Sequence, residues 1–257
     1  MINKVPRILK IKTAVVQANF LWTYVRVYAD DGYGTGECYF APGLTAMICE
    51  LGELLTGEDY RNIEHLVEKM RWAASGAGSL SGLIWNAITG VEAALWDLKG
   101  KHYGLPVYQL LGGKFREEVR LYLDCHAAGA LESLTALLQP FTPQWAHGEP
   151  ASELSRDEIV KASAERAVSM VQLGYTALKF DLDLPDTSFS SSSGYTITSR
   201  DIDWMTALVH RVREAVGPDV DLAFDAHWRY RPNEILQVAK ELECCRLMWL
   251  EDPVPPQ

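Results

Sequence analysis

A chain of 257 residues with 48% apolar and 23% charged residues has the composition of an ordinary globular protein, long enough for one large domain or two modest ones. Its net charge of −10 argues against a general binder of nucleic acid or anionic membrane, which would carry a basic face. No run approaches the roughly 18 apolar residues of a membrane span, and the N-terminus lacks the apolar core of a secretory signal, so a cytoplasmic protein is expected.

The N-terminal part reads as strands followed by helices. Residues 10–16 and 20–28 have the aromatic and β-branched content of strands, Asp30-Asp31-Gly32 makes a hairpin turn, and 34–38 returns as a third strand. Helical pattern follows over 44–55 and 59–74. Beyond a glycine- and serine-rich loop at 75–82, Ile84, Ile88, Val91, Leu95 and Leu98 recur at spacings of three and four and predict the strongest helix of the chain. Gly104 and Pro106 end it, and a short helix over 106–111 closes at Gly112-Gly113. Residues 1–116 are therefore expected to form an α+β domain.

From residue 117 the pattern alternates. Strands are expected over 119–123, 176–180, 220–224 and 247–250, with helices over 153–173, 201–216 and 232–242 between them. Such alternation implies a parallel sheet with right-handed crossovers, and 117–257 reads as the first four strands of a β/α barrel. A closed barrel needs eight strands over roughly 250 residues. The expectation is a chain that stops before its fifth barrel strand and associates as a homo-oligomer through the open edges at 119–123 and 247–250. Two connections are long, 124–152 and 184–199, and the serine-rich second one is expected to be a mobile lid. The five cysteines, at 38, 49, 125, 244 and 245, show no metal-ligand spacing and read as reduced thiols.

Charged residues gather where apolar strands end. Lys179 and Asp181 lie two apart, as do Asp225 and His227, and residues two apart on a strand share a face. Glu251 closes the next apolar run. The C-terminal ends of barrel strands are where such barrels carry out chemistry. Two carboxylates, Asp225 and Glu251, on neighbouring strands repel unless a hard cation such as Mg²⁺ lies between them. A lysine beside that cation would have its pKa lowered, as a general base requires.

The segments that carry these groups resemble the enolase superfamily, and within it the mandelate racemase/muconate-lactonizing group. The likeness rests on the hairpin 24–36 with Glu37, the helix 90–101, and the segment Leu105-Pro-Val-Tyr-Gln-Leu-Leu-Gly-Gly113. It continues through Gly174-Tyr-Thr-Ala-Leu-Lys-Phe-Asp181, Asp225-Ala-His227 and Trp249-Leu-Glu-Asp-Pro253. The resemblance implies an α+β capping domain on a modified barrel. It also implies Mg²⁺ held by three acids at successive strand ends, Asp225 and Glu251 matching the first two, and abstraction of the proton α to a carboxylate. Lys179 matches the second-strand lysine. Asp181 stands where racemases carry a second lysine and is taken with Lys179 as a candidate catalytic group, while His227 matches the acid of sugar-acid dehydratases.

The resemblance therefore implies dehydration of an aldonate or aldarate, a small-molecule carboxylate, to a 2-keto-3-deoxy acid. Asn19, Trp22 and Arg229 are candidate substrate contacts. A racemase or epimerase on the same scaffold is the alternative, and a non-catalytic remnant a third reading. The third metal acid and the second base lie beyond Gln257 in the family pattern, so the 257-residue chain alone is expected to be inactive.

Overall fold

Alternation along the N-terminal segment folds as an antiparallel sheet of β1 (Ile8–Gln17), β2 (Leu21–Ala29) and β3 (Gly32–Tyr39), in that order. The structure is a computed structural model and describes residues 5–17, 21–75, 81–125, 154–184 and 196–255. Along β2, Leu21, Thr23, Val25, Val27 and Ala29 are buried in strict alternation, the signature of a sheet with one covered face. The cover comes from α1 (Leu44–Leu55), α2 (Ile63–Ser75) and α3 (Leu83–Tyr103), with α4 (Val107–Leu110) following. All five apolar residues of the predicted stripe are buried on α3. That helix ends at Gly104, whose left-handed backbone favours glycine, and the N–H groups of Gly104 and Leu105 satisfy the carbonyls of Lys101 and Gly100. The helix expected from residue 59 begins at Ile63, because the Asp59 carboxylate accepts both the Arg61 N–H and its guanidinium and holds 59–62 as a turn.

The closest backbone approach in this unit is made by glycines on β3. A Cβ on Gly34 would lie 2.0 Å from the Ala94 carbonyl oxygen, and one on Gly36 would lie 2.2 Å from that of Gly90. Strand and helix thus touch backbone to backbone, and the contact is fastened where the Thr35 N–H donates to Asp97 at 2.7 Å. Asp97 also accepts from Lys101, so its charge supports the fold.

The second unit, Glu118–Gln257, is distinct from the first, Met1–Glu117. Its parallel sheet runs β4 (Leu123–Cys125), β5 (Ala177–Asp181), β6 (Asp221–Asp225) and β7 (Trp249–Glu251), strictly in chain order. Helices α5 (Arg156–Gln172), α6 (Ser199–Val216) and α7 (Pro232–Glu241) follow β4, β5 and β6. An α+β capping domain followed by the first half of a β/α barrel is therefore the architecture. Capping boxes at Ser155 and Thr198 set where α5 and α6 begin, with Glu158 and Asp201 reaching back to the cap N–H. Buried Asp201 also binds Arg156 at 2.8 Å and so ties α6 to α5.

The strand expected over 119–123 is a correction. Pairing begins only at Leu123, opposite Leu178, while Val119 and Leu121 are 71% and 72% exposed. Arg120 holds this lead-in segment instead, donating to the Thr176 carbonyl and hydroxyl and to the Asp221 carboxylate. The other three strands are displaced by a residue or two from the expected positions, and their last residues are Asp181, Asp225 and Glu251. The expected lid over 184–199 lies largely outside the described residues, as does most of 124–152. Among the described residues no helix is long and apolar enough to cross a membrane.

Replacing Gly36 with Ala should destabilise the N-terminal unit by about 2–3 kcal/mol, because neither backbone can yield to the new methyl group. Urea unfolding measures this as a lower midpoint, and a midpoint equal to that of the wild type would show that β3 and α3 can separate at little cost.

Candidate active site

Parallel register lines the charged groups into rows. Asp124, Lys179, Ala223 and Trp249 are successive partners across the four strands, and Asp181, Asp225 and Glu251 form the next row on the same face. The alternate residues Cys125, Phe180 and Phe224 belong to the core on the opposite face, where the two phenylalanine rings stack at 5.9 Å. Apolar packing beneath thus forces the polar row upward.

Lys179 sits among the acids. Its Nζ lies 3.1 Å from Asp225 Oδ2, 3.2 Å from Glu251 Oε2 and 3.9 Å from Asp124 Oδ2. Burial opposes its charge, but the hydrogen bond to Asp225 and the charges of Asp124, Asp225 and Glu251 outweigh that effect and hold the ammonium above the ordinary lysine range. The lowered pKa expected beside a cation is therefore not what these three carboxylates alone produce. A lysine so held is an acid, and it can serve as a base only when another positive charge takes its place between Asp225 and Glu251.

The backbone after Asp225 is bent to a purpose. His227 and Trp228 have φ of 46° and 60°, left-handed values that cost non-glycine residues about 1–3 kcal/mol each. Hydrogen bonds hold the bend, from His227 N–H to Asp225 Oδ1 at 3.0 Å and from Trp228 N–H to the Asp252 carbonyl at 2.7 Å. The bend brings the imidazole over the row. His227 Nδ1 lies 2.9 Å from Asp183 Oδ2, and Nε2 lies 3.5 Å from Asp225 Oδ2. Burial pushes the His227 pKa down, but the hydrogen bond and charge of Asp183, with Asp181 and Asp225 behind it, prevail and raise it.

The candidate residues divide accordingly. Lys179, Asp225, Glu251 and His227 converge, and Asp181 stands with Asp183 and His227 as a group whose ligand atoms lie within 4.8 Å of one another. Arg229 is engaged by Asp183, its Nε 3.1 Å from Oδ1, so within this unit it steadies the histidine's partner. Trp22 belongs to the N-terminal unit, where it packs edge-on against Tyr39 at 6.0 Å, and Asn19 lies outside the described residues. Asp183 and Asp124 join the cluster beyond the residues that the sequence singles out. Asp183 had a readable signal, since it continues the alternation of Lys179 and Asp181 by one more step. Asp124 had none, because the strand that carries it begins later than its apolar pattern implied.

The donor set fits a hard divalent cation. Oxygens of Asp225, Glu251 and Asp252 lie within 4.8 Å of one another, and the Lys179 ammonium already bridges two of them as a cation would. His227 should titrate above the ordinary imidazole value, and Asp183→Asn should lower it, as followed by NMR of the ring protons. Because the folded value is raised, the stabilisation from this pair is complete below about pH 6.5 and is lost as pH rises through the folded value. An unchanged titration in Asp183→Asn would contradict the assignment.

Comparison with known proteins follows the same division of the chain. Residues 3–112 match the mandelate racemase/muconate lactonizing enzyme N-terminal domain, and residues 161–257 match the enolase C-terminal domain-like family. A D-xylonate dehydratase of Haloferax volcanii is 39% identical over 252 residues, covering 97% of this chain and 55% of that protein. A D-gluconate dehydratase of Thermoproteus tenax is 34% identical over 168 residues, covering 65% of this chain and 27% of that one. A crystal structure of a mandelate racemase/muconate lactonizing enzyme-like protein from Rubrobacter xylanophilus superposes with a TM-score of 0.79 at 38% identity. That match covers 99% of this chain and 62% of the other. The chain thus spans about half the length of the first of these curated relatives and less of the second.

Proposed function

Since the chain belongs to the enolase superfamily, with the paired N- and C-terminal domains of its mandelate racemase/muconate-lactonizing group, we propose that it serves the Mg²⁺-dependent dehydration of an aldonate or aldarate to a 2-keto-3-deoxy acid. The observation that carries this reading is the pairing of His227 with Asp183 immediately beside the Lys179–Asp225–Glu251 cluster. Proton abstraction and hydroxyl departure need two different groups, and two are present. The relatives, a D-xylonate dehydratase and a D-gluconate dehydratase, support the same substrate class.

Asp225 and Glu251 would hold the cation, whose charge, when bound, neutralises the substrate carboxylate and makes its α-proton acidic. Lys179 then takes that proton at Nζ. His227, its Nδ1 engaged by Asp183, presents Nε2 as the acid that protonates the departing β-hydroxyl. Water leaves, and the resulting enol reverts to the 2-keto acid. Asp183 and Arg229 fix the ring's direction, and Asp181 adds negative charge that favours the imidazolium. A racemase has no departing hydroxyl for His227 to protonate, and the lysine pair is absent because Asp181 follows Lys179 at the second position.

The test uses a longer form of the protein that carries this chain together with the remaining barrel strands, given xylonate, gluconate and galactonate with Mg²⁺ in deuterated water. His227→Asn should lose dehydration by about 10²-fold or more while keeping exchange of the α-proton with solvent. Lys179→Met should lose both. Loss of both activities in His227→Asn with metal affinity intact, or full dehydration by that variant, would contradict the assigned roles.

A further inference from the structure

A third group of ligand-type side chains lies in the same unit, on elements that the reaction does not use. Cys244 and Cys245 fall in a single 3₁₀ turn, Glu243–Cys245, between α7 and β7, and His210 faces them from α6. Their spacing in the chain carries no motif, since His210 precedes the cysteine pair by more than thirty residues, and only the packing of the turn against α6 brings them together. His210 Nε2 stands 3.9 Å from both sulfurs, and Nδ1 is 3.5 Å from Cys245 Sγ. A tetrahedral zinc centre, with bonds of about 2.3 Å to sulfur and 2.0–2.1 Å to nitrogen, places neighbouring ligand atoms about 3.5–3.8 Å apart. The imidazole already stands near that distance from both sulfurs, and all three ligand atoms lie within 4.8 Å of one another.

The turn is also fixed in place. Arg213, one turn along α6 from His210, donates Nε to the Cys245 carbonyl at 3.1 Å and Nη1 to the carbonyls of Val220 and Gly217 at 2.6 and 2.8 Å. Arg246 ends the turn in a left-handed conformation with φ of 48°. The ligands are therefore presented from a braced helix and a braced turn, the pre-organisation that a metal site requires. Cys245 is buried and Cys244 and His210 reach the surface, so an ion has an entry path and a solvent-facing fourth position.

We propose that His210, Cys244 and Cys245 form a second metal site, selective for a borderline-soft divalent cation of the zinc class. Two sulfurs and an imidazole do not suit Mg²⁺, which takes oxygen ligands, so the two sites sort cations by chemistry. Each cysteine that binds gives its thiol proton to solvent as its sulfur–metal bond forms, and water completes the coordination. The bound ion would tie α6 to the turn that leads into β7, the strand that carries Glu251.

Titration of the reduced protein with Co²⁺ under anaerobic conditions tests the proposal. One equivalent should give a near-ultraviolet thiolate-to-cobalt charge-transfer band, which Zn²⁺ bleaches stoichiometrically. Cys244→Ser and His210→Gln, both at partly exposed positions, should each weaken Co²⁺ binding at least tenfold with unchanged circular dichroism. Cys49→Ser, at the other exposed cysteine, and Asp225→Asn should leave the band intact. A titration without the band, or a band that survives Cys244→Ser at wild-type affinity, would overturn the site.

Discussion

Carboxylates set side by side on adjacent parallel strands repel each other, and the fold of the second unit is arranged around that repulsion. Asp181, Asp225 and Glu251 share one row because β5, β6 and β7 pair in parallel register, and they share one face because Phe180, Phe224 and their neighbours occupy the other. The lysine that relieves the repulsion comes from the preceding row, two residues before Asp181. Lys179 and Asp225 are both nearly fully buried, so removing either would leave an uncompensated charge in a poorly solvated place, a loss of about 3–5 kcal/mol. Apolar packing below and charge balance above are thus one constraint seen from two sides.

Strain enters where the row meets the following loop. Parallel pairing ends at Asp225, yet the backbone hydrogen bonds run on, with Ala226 N–H donating to the Glu251 carbonyl and Leu182 N–H to that of Asp225. These anchors allow His227 and Trp228 to occupy left-handed conformations that neither would choose alone. The same anchors carry the imidazole to Asp183, while Tyr230 donates to the Leu182 carbonyl and binds the loop after β6 to the loop after β5. Rigidity in the strand ends is converted into a fixed direction for one ring nitrogen.

Much of this was legible in residue pattern. Alternation and three-four spacing mark nearly every element, and the charged strand ends mark Lys179, Asp225, His227 and Glu251 as a group that the fold does bring together. What escaped has physical causes. Residues 119–122 look like a strand because apolar alternation cannot report whether a partner strand lies alongside. Arg229 reads as a candidate substrate contact because nothing local reveals that Asp183 reaches it. The His210–Cys244–Cys245 group is invisible in sequence, since it depends on how α6 packs against a three-residue turn. Gly34 and Gly36 read as ordinary strand residues, and their need to be glycine appears only when α3 is laid across them.

We propose that Asp225 and Glu251 form a cation site in which the Lys179 ammonium stands in for the metal. Calorimetric titration with Mg²⁺ of the wild type, Asp225→Asn, Glu251→Gln and Lys179→Met measures this. One weak site is expected, lost or weakened at least tenfold in either carboxylate variant and tightened in Lys179→Met, where the competing ammonium is gone. Binding indifferent to both carboxylates, or weakened by removal of the lysine, would contradict it.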